Sequence, residues 1–124
     1  MAFIGQSVRR FEDARFLTGQ GRYVGDLLVA GARHMVVLRS PHAHARITRI
    51  DAAAAHAFVL TAAELAEAGI GPLPCPAQIG VPIAMAERPV LAAGVVRYVG
   101  EPVAFVFAET PEAARDAAER ISVE

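Results

Sequence analysis

Apolar positions along this chain fall into short runs, and their period changes from two to nearly four and back again. His34–Arg39 (HMVVLR) is compact, apolar and β-branched, and predicts a strand that is mostly buried. Residues 45–50 (ARITRI) set Ile47 and Ile50 against Arg46 and Arg49 in imperfect alternation, which predicts a second, more exposed strand. Residues 57–60 (AFVL) predict a third. Pro102–Ala108 (PVAFVFA) contains no polar residue, the pattern expected of a strand covered on both faces. Residues 121–124 turn β-like again, so the sequence stops where another strand would begin.

Helix signals sit between these runs. Thr61-Ala62-Ala63-Glu64 is a capping box, in which the Thr61 hydroxyl accepts a backbone N–H of the first turn and Glu64 reaches back to the Thr61 N–H. Leu60 and Leu65 are spaced to close an apolar staple across that start, and Gly69 suits a left-handed cap, so the predicted helix covers residues 62–68. A second helix follows Thr110 as cap and Pro111 at the first helical position. Its apolar stripe, Ala113, Ala114, Ala117, Ala118 and Ile121, is made of small residues that allow close packing on a sheet, with Asp116 and Arg120 four apart on the other side. Residues 1–26 keep neither period and carry Gly5, Gly19, Gly21 and Gly25, which predicts an extended arm with turns. Residues 70–89 hold Pro72, Pro74, Pro76, Pro82 and Pro89, which remove backbone donors and predict a long irregular loop.

Composition narrows the class. At 124 residues the chain suits one domain, since separate cores need roughly 50 to 100 residues each. A hydrophobic share of 54% with a net charge of -1 allows a packed core and gives no electrostatic bias toward nucleic acid or anionic lipid. The basic residues are all arginine but are scattered, so as a set they carry no functional weight. A single cysteine, Cys75, excludes an internal disulfide and makes a cytoplasmic location the expectation. Arg9-Arg10 resembles a twin-arginine export signal, but Glu12, Asp13 and Arg15 stand where the apolar stretch of such a signal belongs. No run is long enough to span a membrane.

The candidate chemistry is concentrated in Arg39-Ser40-Pro41-His42-Ala43-His44-Ala45-Arg46-Ile47. His42 and His44, two apart on a strand, would share a face and could approach one ion. A zinc site needs at least one further protein ligand, and no paired spacing nominates His34, His56, Asp51 or Cys75. The pair therefore reads as strand histidines hydrogen-bonded at the domain surface, with no metal, cofactor-binding or catalytic residue assigned. Gly19-Gln20-Gly21 lacks the third glycine and the strand–helix setting of a dinucleotide fingerprint and reads as a turn. Cys75, between two prolines, reads as a passive thiol. Glu101 opens the most apolar strand and reads either as a buried carboxylate or, the commoner case, as a strand-edge charge facing water.

Taken in order, several segments resemble the amino-terminal region of the molybdenum-binding large subunit of the xanthine dehydrogenase, aldehyde oxidase and carbon monoxide dehydrogenase family. They are Ile4-Gly5-Gln6-Ser7, Arg10-Phe11-Glu12-Asp13, residues 16–24 (FLTGQGRYV) with Asp26, and residues 39–47 with Ile50-Asp51. Leu60-Thr61, Arg97-Tyr98-Val99-Gly100-Glu101-Pro102-Val103-Ala104 and Ala108-Glu109-Thr110 complete the series. The resemblance implies α+β class and an α/β hammerhead, a mixed sheet with two to three helices packed on it, over residues 1–124 as a single domain. It implies a full enzyme that hydroxylates aldehydes, purines or other heterocycles, or oxidises carbon monoxide, with a molybdopterin-type cofactor in the full subunit. Water would supply the oxygen, and electrons would pass to iron–sulfur clusters and FAD in companion subunits or domains. The family's cofactor loops and active-site glutamate lie in later domains, so no residue of this chain inherits a catalytic role.

What this chain is then expected to supply is structure and assembly. Arg39, His42, His44 and Glu101, polar residues at strand ends, are the expected interface to the remaining domains of the large subunit or to the iron–sulfur and flavin subunits. The loop at 70–89 is expected to be held by a neighbouring domain and poorly ordered without one. The connection from Asp51 to residue 57 is shorter than in the family, which bears on the placement of the strand at 57–60. The ending resembles a point in mid-subunit, and the alternative is a free-standing hammerhead protein acting as a binding or scaffold module.

Overall fold

The all-apolar run at 102–108 becomes the strand on which the rest is assembled. A computed structural model describes residues 4–74 and 87–124. The chain divides into two units, Met1–Gly31 and Ala32–Glu124.

The first unit, expected as an extended arm, contains a short helix, α1 (Asp13–Leu17), and a 3-10 turn at Val24–Asp26. Local groups hold them. Asp13 Oδ2 accepts the Arg10 N–H at 3.0 Å, Asp26 Oδ2 accepts the Tyr23 N–H at 2.8 Å, and the Phe16 and Tyr23 rings stack at 5.7 Å. Such short-range hydrogen bonds and one ring pair stabilise a turn of helix that apolar periodicity alone does not announce. No described residue of this unit is buried.

The second unit carries strands β1 (His34–Arg39), β2 (Ala45–Arg46), β3 (Ile50–Asp51), β4 (Phe58–Leu60), β5 (Val95–Val96), β6 (Pro102–Ala108) and β7 (Ser122–Val123), with helices α2 (Ala62–Glu67) and α3 (Pro111–Glu119). β6 lies between β1 and β4, β2 pairs with β5, and β3 pairs with β7. The α+β class stands, with antiparallel pairing in every described ladder where a mixed sheet was expected. Apolar pattern identifies strands, but the connections decide their direction.

Alternation places Val36, Leu38, Val59 and Val106 on one face, where they pack with Ala117, Ala118 and Ile121 of the α3 region and with Ala55. The small side chains let α3 approach closely; Ala114, Ala117 and Ala118 are buried, whereas Ala113 points outward. The expected Asp116–Arg120 ion pair is absent among the described residues. Covering of β6 is one-sided over its second half: Val106 is fully buried, but Phe105 and Phe107 are half-buried, Phe107 lying 5.7 Å from an exposed Phe58.

The single strand expected over 45–50 is broken in two. β2 and β3 join different partners, and Ile47 and Ile50, three apart, both pack toward a second cluster of Ala92, Val96 and Val103. A flat strand would send residues three apart to opposite faces, so the chain bends between them. The strand expected over 57–60 forms at Phe58–Leu60 despite the short connection, which closes through a 3-10 turn ending at His56 with φ +50°.

α2 starts as expected: Glu64 Oε2 accepts the Thr61 N–H at 2.7 Å and Thr61 Oγ1 accepts the Ala63 N–H at 3.3 Å. It ends at Gly69, whose φ of +72° is the left-handed cap. The irregular stretch is described only at its flanks, where the Leu73 N–H donates to the Arg88 carbonyl at 2.8 Å. Cys75 and the expectation for the interior of the 70–89 loop lie outside the described residues.

Candidate functional site: a cleft beneath the histidine segment

The β1–β6 ladder is regular from His34 to Leu38 and then slips, with Leu38 opposite Ala104 but Arg39 opposite Pro102. Proline has no N–H for the ladder, so the pairing cannot continue evenly through it. The skipped residue, Val103, is 2% exposed and turns into the cluster with Ala92 and Val96. Beyond the slip the segment is pinned by backbone: the Ser40 N–H donates to the Glu101 carbonyl at 3.0 Å, and the Gly100 N–H donates to the Ser40 carbonyl at 2.8 Å. Gly100 sits at φ +87°, a conformation that costs other residues roughly 1–2 kcal/mol. Ser40, buried, accepts the His42 N–H at 3.0 Å and donates to the His42 carbonyl at 3.1 Å, folding Pro41 and His42 into a turn.

His42 and His44 therefore sit in the connection between β1 and β2 and do not share a strand face. Serine and proline next to each other favour a turn over an extended run, which the alternation around Ile47 concealed. Among the described residues no three His, Cys, Asp or Glu side chains gather as a metal site would need.

A cleft of about 420 Å³ opens beneath this turn. Leu38, Ile47, Val96, Val103 and Ile121 form its apolar floor, and the exposed Arg39, His42, Arg46 and Glu124 line its rim. Of the four expected interface residues, Arg39 and His42 meet here, whereas His44 and Glu101 do not line the cleft. The Arg39 guanidinium donates to the Gly100 carbonyl at 2.8 Å, which holds its stem along the rim.

Glu101 corrects the reading of it as a water-facing charge, being only 4% exposed. Its carboxylate accepts the Arg97 N–H and lies 3.6 Å from the Arg97 guanidinium, tying the turn between β5 and β6 closed. Burial of a charged group is tolerated when it is hydrogen-bonded and paired within the same turn, and that four-residue geometry is invisible until β5 is known to end at Val96. Arg46 and Ile47 enter the sequence reading only as part of the histidine segment, and Val96 carries no chemical signal. The only signal for β5 is the Val95-Val96 pair behind Gly94.

Among the described residues every buried side-chain nitrogen and oxygen has a partner, and no three His, Cys, Asp or Glu side chains gather. Antiparallel ladders backed by α3, with a small-residue helix face and an amphipathic cleft, define a small α+β domain.

Comparison with known proteins places it further. Residues 18–124 match the family described as aldehyde oxidase and xanthine dehydrogenase, a/b hammerhead domain, and the chain belongs to that family. The nicotine 6-hydroxylase large subunit of Paenarthrobacter nicotinovorans is 45% identical over 98% of the chain, which covers 15% of that subunit. The quinoline 2-oxidoreductase of Pseudomonas putida 86 superposes with a TM-score of 0.78 at 46% identity, covering 97% of this chain and 16% of that one. A Cu,Mo-CO dehydrogenase superposes with a TM-score of 0.76 at 37% identity, over 97% of this chain and 15% of its own. The chain thus spans about one-seventh of the relatives it matches. No described helix is long and apolar enough to cross a membrane.

Proposed function

We propose that this chain is the structural and assembly domain of a molybdenum hydroxylase large subunit. Residues 1–124 act as one domain, with 1–26 as its arm, and carry no turnover of their own. The full enzyme hydroxylates an aldehyde or a heterocycle, or oxidises carbon monoxide, in the cytoplasm. Its molybdopterin-type cofactor is held by the rest of the subunit, and electrons leave through iron–sulfur and flavin companions. The observation that carries this reading is the disproportion of the match: 98% of the chain aligns with 15% of a large subunit. Arg39, His42 and His44 form the edge presented to the neighbouring polypeptide, and Glu101 supports that edge from within by holding the turn beside Gly100.

The test is direct. Expressing the complete reading frame should yield a subunit several times the 13.1 kDa of this chain, containing molybdenum and oxidising one of these substrate classes. Residues 1–124 purified alone should do neither. Molybdenum bound to the isolated chain, or substrate oxidation by it, overturns the proposal.

A further inference from the structure

We infer that the outer face of the β1–β6–β4 sheet, opposite α3, is an apolar seat for a segment of the large subunit outside residues 1–124. The inference rests on the proposed reading of the chain as part of such a subunit.

Register builds the face. Met35 stands opposite Phe107 and Phe107 opposite Phe58, while Val37 stands opposite Phe105 and Phe105 opposite Leu60. Opposed residues share a face, as do residues two apart along a strand, so these six side chains form two rows on one side of the sheet. Val36, Val59 and Val106 fall on the other side, where the α3 region packs. The outer rows hold no polar residue and no buried one, and Met35 and Phe58 are 50% and 57% exposed. A strand as apolar as β6 is made for cover on both faces, and these rows leave one of them open.

Composition and area together select the occupant. Side chains with no charge, amide or hydroxyl make a face that resembles a core cut in half, which is the mark of a permanent interface rather than a transient one. Yet the face is small. If each of the six offered half of the roughly 200 Å² of a large apolar side chain, together they would supply about 600 Å². Free partners that associate stably bury about 800 Å² on each side. A face permanent in character but too small to hold a free partner suits a tethered segment, which does not give up translational freedom on docking. Relatives have such polypeptide to supply, since this chain covers 15% of the nicotine 6-hydroxylase large subunit.

The experiment uses the full-length gene product with its companion subunits, with p-benzoylphenylalanine introduced in place of Phe58. Photolysis should link position 58 to an apolar segment of the same polypeptide beyond residue 124. In Met35→Ser with Phe58→Ser, hydrogen exchange in that mapped segment should rise about tenfold or more, as its apolar cover is weakened. Unchanged protection of β6 amides shows that the domain remains folded, and Phe58→Ser alone gives the same reading where the double variant loosens β6. Crosslinks confined to residues 1–124, to a companion subunit or to a second copy, no crosslink, or unchanged exchange in the mapped segment overturns the inference. Molybdenum and substrate oxidation in the same preparation then leave the domain reading intact. A gene product of 13.1 kDa removes the domain reading, and the inference with it.

Discussion

The two units of this protein use apolar residues to opposite effect. Residues 4–31 contain Phe11, Leu17, Val24 and Leu28, all of them exposed, and no described residue there is buried. Residues 32–124 hide Leu91, Val96, Val103, Val106 and a face of alanines. The difference lies in pairing, because the second unit ties His34 to Ala108 and Ile50 to Val123 across long stretches of chain. The first unit is held by contacts between near neighbours, such as Arg10 with Asp13 and Phe16 with Tyr23. Apolar content makes a core only when distant segments bring their faces together, since the entropy of ordering the chain must be matched by surface removed from water.

Substitutions can break that contrast, beginning at its strongest point. Val106→Asp places a charge at a position with no exposure, between β1, β4 and α3, and should cost about 4 kcal/mol or more, enough to unfold the second unit. Urea unfolding followed by circular dichroism would show it, and retention of a cooperative transition near the wild-type midpoint would mean that β6 is not the centre of the fold.

Next in size is Glu101→Ala, which leaves the Arg97 N–H without its acceptor and opens the turn at Gly100; about 1–3 kcal/mol should be lost. The same denaturation experiment checks it, and Glu101→Gln should recover part of the loss by keeping the acceptor.

Thr61→Ala removes the cap of α2 and should cost about 1 kcal/mol. The Thr61 hydroxyl, and then the Thr61 backbone N–H, hold the Glu64 carboxyl below its ordinary value. A carboxyl with a lowered folded-state pKa contributes stability that is complete above its unfolded pKa and is lost as pH falls through the folded one. Stability should therefore decline more steeply on acidification below the ordinary carboxylate range in wild type than in Glu64→Gln. Parallel curves for the two proteins would refute that role.

The smallest effect belongs to the first unit. Leu28→Ser, at a fully exposed position, should change the unfolding free energy by less than about 0.5 kcal/mol. A loss several times larger would show that the first unit has buried partners after all.

Sequence by itself determined the elements whose signals are local. The Thr61 box and Gly69 bound α2, Thr110 and Pro111 start α3, and the unbroken apolar run makes β6, because caps and periodicity act over a few residues. The ordered motifs from Ile4 to Thr110 also pointed to the hammerhead family, and residues 18–124 match it. Only the tertiary structure decided the rest. Strand direction, the division of residues 45–50 between two partners, the slip at Pro102 and the burial of Glu101 all depend on which distant backbone supplies the next hydrogen bond. The cleft belongs to that second group, since its floor joins Leu38 of β1, Val96 of β5 and Ile121 of the connection after α3, and no local pattern records that they will meet.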